Sequence, residues 1–399
     1  MPADQEEDTR RSFAATCGAG LEPALAAELV ALGLDDVVPG ARAVTFVGPL
    51  RAGYRACLWS RVATRVLLFV RSVFAGSTRA LYAELRRIPW AEHLGRDGRL
   101  AVTFVGTNDA IVNTRFGAQK TKDAVVDALR DDRGRRPSVD LDAPDVRIHV
   151  ALQGTRARVS IDLSGTPLHR RGLDRDGGPA PMKESLAAGL LWLSGAAAEP
   201  EVPVVDPMCG SATLLVEAAG MKTRAAPGLT RRRWGFSGWR GHDARAWQRL
   251  CEEARDVMRP LPPDTVFGGD IDAAQHRRAR EHLRRAGFER VVSLSRIPLA
   301  DWSAPVGVPP GRVVTNPPYG ARLDAAGVTS LWRELGNVLR CRFPGWDAWI
   351  LAGRPALARQ LGLRPRRRIP LFNGPLEGRL LHVPISDRPP ARFLGRGDP

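Results

Sequence analysis

Four short apolar runs in the second half of the chain, at 202–205, 265–269, 291–295 and 312–315, constrain the fold more than any other feature. The first two end in Asp206 and Asp270, the third is followed shortly by Asp301, and the fourth runs into Asn316. A helix is predicted ahead of them over 183–193, and stretches with helical periodicity follow each strand. Strands that alternate with helices in this way predict a parallel, doubly wound sheet. The fold class is therefore α/β in this half.

The first of these strands opens into DPMCGSATLLVEAA, a turn of small residues that enters a helix at about Thr213. Small residues let a ligand approach the backbone and leave N–H groups pointing at it. The turn is neither GxGxxG nor GxxxxGKS, which disfavours a dinucleotide or a triphosphate. An acid at the end of the second strand suits the two hydroxyls of a ribose, and Asp301 suits an adenine amino group. Any one of these acids is equally well explained as a helix cap or strand end. Their order is the informative part.

Asn316-Pro317-Pro318-Tyr319 follows the fourth strand. Two prolines fix the backbone and remove two N–H donors, so the Asn316 side-chain oxygen and the Pro317 carbonyl are presented as acceptors. Two acceptors at a strand end suit the amino group of a planar base or amide. Tyr319 offers a ring on which a base can stack. A Pro-rich turn would account for the tetrapeptide in isolation.

The first half reads as mixed α/β, with strands expected at 13–16, 43–47, 65–74 and 100–105 and helices at 21–32, 78–87 and 121–130. The pair 146–152 and 156–163 alternates, placing Arg156, Arg158, Ser160 and Asp162 on one face, expected to be wet. The Gly, Pro and Arg-rich run RRGLDRDGGPAP (170–181) is the candidate linker. The domain expectation is thus 12–165, a linker at 166–181, a second domain at 182–386 and a tail at 387–399. Toward the end, Arg366, Arg367 and Arg368 open a pair of strands expected to turn at Asn373-Gly374.

Fifty-nine Lys and Arg against 43 Asp and Glu give a net charge of +16, which favours a polyanionic partner, although an Arg-rich composition throughout explains part of it. The five cysteines have no CxxC spacing, which disfavours a disulfide framework or a zinc ribbon. His276 and His282 do not lie at i, i+4 and are expected at the surface, and no metal is expected. No apolar run is long enough for a bilayer, and the leader lacks an apolar core. A cytoplasmic protein without membrane or metal partners is the expectation.

The segments TNDAIVNTRFGAQKTKDAVVDALR, DLSGTPLHRRG, APMKESLAAGLL, DPMCGSATLLVEAA, APGLTRRRWGFSGW and NPPYGARL together resemble the THUMP-domain RNA guanine-N2-methyltransferases. The likeness is nearest to the guanine-N2-methylating half of the bacterial large-subunit ribosomal RNA methyltransferase and spans roughly 12–385. It implies a Rossmann-like seven-stranded methyltransferase sheet behind an N-terminal α+β region that contains a THUMP module, with S-adenosylmethionine as cofactor. It implies that Asp206, Pro207, Cys209, Gly210, Ser211 and Thr213 line the methionine side, Asp270 the ribose and Asp301 the adenine. Glu184 matches a position near the methionyl end, and a first-turn helix acid is an equal account of it. Asn316 to Tyr319 would hold the guanine, and ribosomal RNA would be the partner, with transfer RNA the nearest alternative.

Arg115, Lys120 and Lys122 sit where a THUMP module would meet phosphates, and Arg231, Arg232 and Arg233 precede Trp234, Phe236 and Trp239 in a mixture suited to unpaired RNA. The rings serve equally as packing for that loop. Two departures stand out. Ala212 replaces the glycine of the family's CGSGT turn, a strained choice if φ is positive there. Leu173 and Asp174 replace the family's Tyr and Arg. The guanine-N7 activity of the second domain of bifunctional relatives is not expected of these 399 residues. Ala212 also motivates a different class of reading, an inactive RNA-binding assembly factor. NPPY by itself is compatible with DNA adenine or protein glutamine methylation.

Overall fold

The computed structural model describes residues 9–172, 182–318, 325–373 and 376–387. The chain divides into two compact units. The first takes the chain up to Thr16, Leu29–Arg171 and Gly228–Glu253; the second takes Cys17–Glu28, Gly172–Pro227 and the chain from Ala254 on. Residues 228–253, assigned from sequence to 182–386, thus cluster with the first unit.

The first unit is built on β1 (Arg11–Thr16), β2 (Asp35–Gly40), β3 (Ala43–Gly48), β4 (Arg65–Phe74), β5 (Arg99–Val105), β6 (Ser138–Val139), β7 (Val146–Gln153) and β8 (Arg156–Asp162). Helices α1 (Glu22–Ala31), α2 (Leu50–Trp59), α3 (Thr78–Arg86) and α4 (Thr114–Arg133) lie between them in sequence. All eight strands form one sheet, ordered β2-β3-β1-β4-β8-β7-β5-β6. Strand β4, ten residues long, joins its two halves. It pairs antiparallel with β1 (Phe13↔Leu68) and with β8 (Leu68↔Ile161), and a bulge lies between Phe69 and Arg71.

Helix α4 starts a turn or more before the expected 121, because the Asn113 side chain accepts from the Arg115 N–H and caps it. Gly134, at φ 68°, ends it. The wet face expected for β8 holds at Arg156 and Arg158 and fails at Ser160 and Asp162, which are buried. Asp162 is neutralised in place by Arg65 and accepts the Ser164 N–H, and burial pushes its carboxyl pKa up. Alternation along a strand reports the pleat, whereas a partnered acid can occupy the dry end of it.

The second unit contains α5 (Glu184–Leu193), β9 (Val204–Asp206), α6 (Thr213–Lys222), β10 (Val266–Gly269), α8 (Ala273–Arg285), β11 (Ser293–Ser295), β12 (Arg312–Thr315), α9 (Ala325–Arg342), β13 (Asp347–Ala352), β14 (Arg367–Asn373) and β15 (Leu376–Pro384); α7 (Ala244–Asp256) falls in the 228–253 segment for most of its length. The sheet order is β11-β10-β9-β12-β13-β15-β14, parallel except for β15, which runs antiparallel to both of its neighbours, β13 and β14. The expected terminal pair forms, with Asn373 opposite Leu376, while Gly374 lies outside the described residues. Pro370 is tolerated because β14 is the edge strand.

Trp332, Leu335 and Leu339 along α9, with Phe343 just beyond its end, pack with Val205, Val313, Ala348 and Ile350 and form the core on one face of this sheet. Helices α5 and α6 are buried nearly all round, so they lack a polar stripe. Order in the sheet reverses between β9 and β12, since β10 follows β9 in the chain on one side and β12 lies on the other. In open α/β sheets that point opens a crevice at the carboxyl ends of the strands. Among the described residues no helix is long and apolar enough to cross a membrane.

Candidate cofactor and base-binding site

The adjoining strands β9 and β12 end in Asp206 and Thr315, and a hydrogen bond ties the two ends together. The Thr315 hydroxyl donates to Asp206 Oδ1 at 2.7 Å, and the Met208 N–H donates to the same oxygen at 3.2 Å. Asp206 is 2% exposed. Burial raises its carboxyl pKa to about 7, opposed by those two donors and reinforced by the neighbouring Asp270 charge. A group of this kind is ready to ionise when a cation arrives beside it.

The turn after Asp206 is closed on itself. Cys209 N–H donates to the Gly269 carbonyl at 2.8 Å, Gly210 N–H to Asp270 Oδ2 at 3.1 Å, and Ala212 N–H to the Cys209 carbonyl at 2.9 Å. The expectation of N–H groups left pointing at a ligand therefore fails at 209, 210 and 212, because neighbouring strands consume them. Gly210 has φ 53°, and a Cβ there would meet no protein atom within 4 Å, so the turn leaves open space on that side. Ala212, fully buried, takes φ 63° and ψ 28° as the residue preceding α6, which is the left-handed conformation its glycine counterpart would adopt without strain. Pro207, Cys209, Ser211 and Thr213 are buried within the same turn, and burial raises the Cys209 thiol pKa.

Asp270, at the end of β10, accepts Gly210 N–H on one oxygen and Asp272 N–H at 2.9 Å on the other. Asp301 is exposed at the end of a short 3-10 turn, Leu299–Asp301, and Glu184 is the half-buried first residue of α5. Thus the structure brings Asp206, the 207–213 turn and Asp270 into direct contact. Sequence reading missed two members. Thr315 was treated only as the end of a strand. His282, expected at the surface, is 5% exposed, and its Nδ1 lies 2.9 Å from the Ser211 carbonyl.

After Thr315 the chain enters Asn316-Pro317-Pro318. The Asn316 side-chain oxygen is buried and has no hydrogen-bond partner among the described residues. The Pro318 carbonyl is taken by the indole N–H of the fully buried Trp332 at 3.1 Å, which anchors this corner to α9. Tyr319 lies outside the described residues, as do Leu173 and Asp174. A buried amide oxygen left unsatisfied costs roughly 1–3 kcal/mol. A donor from another molecule would satisfy it.

The cationic candidates divide sharply. Arg231 is consumed inside the first unit. Its guanidinium donates to the carbonyls of Ser164, Thr166, Pro167 and Arg170 at 2.9–3.0 Å and to the Thr166 hydroxyl at 2.8 Å. It also sits 4.6 Å over the Trp234 ring, and burial lowers its pKa to about 10. An RNA contact is withdrawn for it on that ground. Arg233 bonds the Ala143 and Pro144 carbonyls, and Lys122 pairs with Asp123 at 2.9 Å. Arg115 and Arg232 are exposed, and Lys120 lies over the half-exposed Phe116 ring at 5.7 Å. Trp234, Phe236 and Trp239 are buried, with Tyr54 and Trp247 packed on the first two, so the rings serve packing.

A strand order of this kind, with a buried acid at the end of β9 and an orphaned acceptor after the adjoining β12, places the second unit among the S-adenosylmethionine-dependent methyltransferases. Its fold relatives agree: SMU.472, solved in complex with SAH, is 29% identical with a TM-score of 0.84, over 95% of this chain and 99% of that one. A predicted N6-adenine-specific DNA methylase from Listeria monocytogenes matches at 28% identity and a TM-score of 0.84, over 95% and 97% of the two chains. Family models match at 171–382 (RMKL-like, methyltransferase domain), 12–67 (RlmL ferredoxin-like domain) and 76–162 (THUMP domain). The ribosomal RNA large subunit methyltransferase K/L of Magnetococcus marinus is 44% identical over 372 residues, 91% of this chain and 52% of the relative. This chain therefore spans about half the length of that relative. It belongs to the RMKL-like methyltransferase domain family, with a THUMP domain in its first unit.

The residues present fit the cofactor. Asp206 offers a carboxyl that ionises beside a positive charge, Asp270 sets a carboxylate against the same turn at the end of β10, and Gly210 leaves the turn open.

Proposed function

We propose that this chain transfers the methyl group of S-adenosylmethionine to the exocyclic N2 of a guanine in 23S ribosomal RNA. The observation that carries the reading is the buried, unpartnered Asn316 oxygen at the end of β12, beside the Asp206 end of β9. The family name and the 44% identical ribosomal RNA enzyme support the choice of RNA. The 28% identity to a DNA methylase is a weaker pointer to DNA.

When bound, the cofactor supplies an electrophilic methyl on a sulfonium whose leaving group is a neutral thioether. The protein's part is positional and electrostatic. Asn316 Oδ1 and the Pro317 carbonyl accept the two N2 hydrogens, draw the nitrogen out of conjugation and turn its lone pair toward the methyl. Trp332, through the Pro318 carbonyl, holds that corner still. Asp206 and the turn hold the methionine side, Asp270 the ribose and Asp301 the adenine. Tyr319 stacks the base. The proton leaves from a cationic methylated nitrogen, acidic enough for water to take it.

In this reading 12–165 captures RNA through Arg115 and Lys120, joined by Arg232 from the 228–253 segment, and the rest of 182–386 carries the chemistry. The test is Asn316→Ala, assayed with unmodified ribosomal RNA, transfer RNA and DNA. Transfer to ribosomal RNA should fall by at least about 100-fold while SAH affinity persists. Unchanged turnover, or a preference of the parent protein for transfer RNA or DNA, would overturn the reading.

A further inference from the structure

We infer that His282, on α8, is a positioning residue for the cofactor-binding turn. The inference rests on the assignment of residues 206–213 to the cofactor. A carbonyl oxygen only accepts, so at 2.9 Å from the Ser211 carbonyl the His282 Nδ1 carries the hydrogen and donates it. That carbonyl belongs to the peptide that leads into Ala212, whose φ of 63° is the least favourable backbone conformation of the turn. A donor fixed from α8 holds the Ser211–Ala212 peptide plane in the orientation that this φ requires.

Ser211 is 8% exposed and His282 5% exposed, so water does not readily replace either partner. The bond also spans 71 residues and ties the turn after β9 to the helix that follows Asp270, the expected ribose acid. Thus α8 controls both walls of the site: Asp272 caps its start, accepting the Ala274 N–H at 2.7 Å, and His282 grips the turn from its last part. With glycine at 212 the turn would adopt its shape unaided. With alanine there, a clamp on the preceding carbonyl gains importance.

The variants follow from geometry. His282→Leu removes the donor, whereas His282→Asn keeps an N–H at nearly the position of Nδ1. SAH affinity is measured by calorimetry on the full chain, with RNA affinity and turnover at saturating cofactor alongside. For His282→Leu, SAH binding should weaken by roughly three- to tenfold. RNA affinity and saturated turnover should stay within about twofold, and His282→Asn should recover most of the loss. Amide exchange at Ala212, whose N–H bonds the Cys209 carbonyl, should quicken in ligand-free His282→Leu and not in His282→Asn. Parental SAH affinity in His282→Leu, or an Asn variant no better than the Leu variant, would overturn the inference. Asp270→Ala separates the underlying assignment: if it leaves SAH binding intact, the turn is not the cofactor site; if it weakens binding while His282→Leu does not, only the role of His282 falls.

Discussion

Thr315→Val is the most informative single change, because it removes one hydroxyl and almost no volume from the join between β9 and β12. The lost bond runs to Asp206 at 2.7 Å, with Thr315 fully buried and Asp206 nearly so. A hydrogen bond to an ionised group contributes roughly 1.5–3 kcal/mol. The same hydroxyl contributes about 1 kcal/mol to the neutral carboxyl, so the difference of roughly 0.5–2 kcal/mol, at about 1.4 kcal/mol per unit, raises the Asp206 pKa by about half to one and a half units when the bond is lost. The parent value is about 7. The cofactor brings positive charge to a carboxyl that must be ionised to meet it. Parental affinity for S-adenosylmethionine should therefore weaken as pH falls through about 7. In the variant that weakening should begin about half to one and a half units higher.

Stability gives an independent check. Burial holds the folded carboxyl above its ordinary value of 3.8, so between 3.8 and about 7 the folded chain keeps a proton that the unfolded chain has lost. Stability should accordingly fall as pH rises across that window and level off above it. Thr315→Val extends the fall upward, costing about 2 kcal/mol at pH 8 and about half of that at pH 5. The assays are calorimetric titration and denaturant melts from pH 5 to 9. Superimposable affinity profiles for parent and variant would refute the link between the hydroxyl and the Asp206 charge.

Two further substitutions test the structural readings. Arg231→Met should destabilise the first unit by roughly 3–5 kcal/mol, since four carbonyls and a hydroxyl lose one charged donor, and it should do so even without RNA. A melt unchanged from the parent would restore Arg231 to the surface. Ala212→Gly relieves about 1–2 kcal/mol of left-handed strain and gives back about 0.5–1 through the unfolded chain. A gain of up to about 1 kcal/mol in denaturant stability, with equal or tighter SAH binding, is expected; a loss would show that the alanine is unstrained.

Much of this was legible in the residue order. The small-residue turn, the acids after β9 and β10 and the Asn-Pro-Pro corner are set by local chain chemistry, and their sequence along the chain carries the fold class. Positive φ at 212 was legible too, because a glycine expected there pointed to it. The closed hydrogen bonding of the turn was not, since the acceptors are Gly269 and Asp270, some 60 residues away. The start of α4 was misplaced because Asn113 caps it from outside the apolar pattern.

Residue type and spacing determined what kind of sheet forms, where its strands end and which acids and acceptors stand at those ends. Those properties follow from backbone periodicity and from the chemistry of single side chains. Tertiary structure alone decided which polar groups remain available. Arg231 and Arg233 are consumed by carbonyls from elsewhere in the chain, His282 is drawn inside to hold Ser211, and Asp206 meets a hydroxyl 109 residues away. A charge or a hydrogen bond has its value set by desolvation and by the partner it finds, and folding supplies both from distant segments.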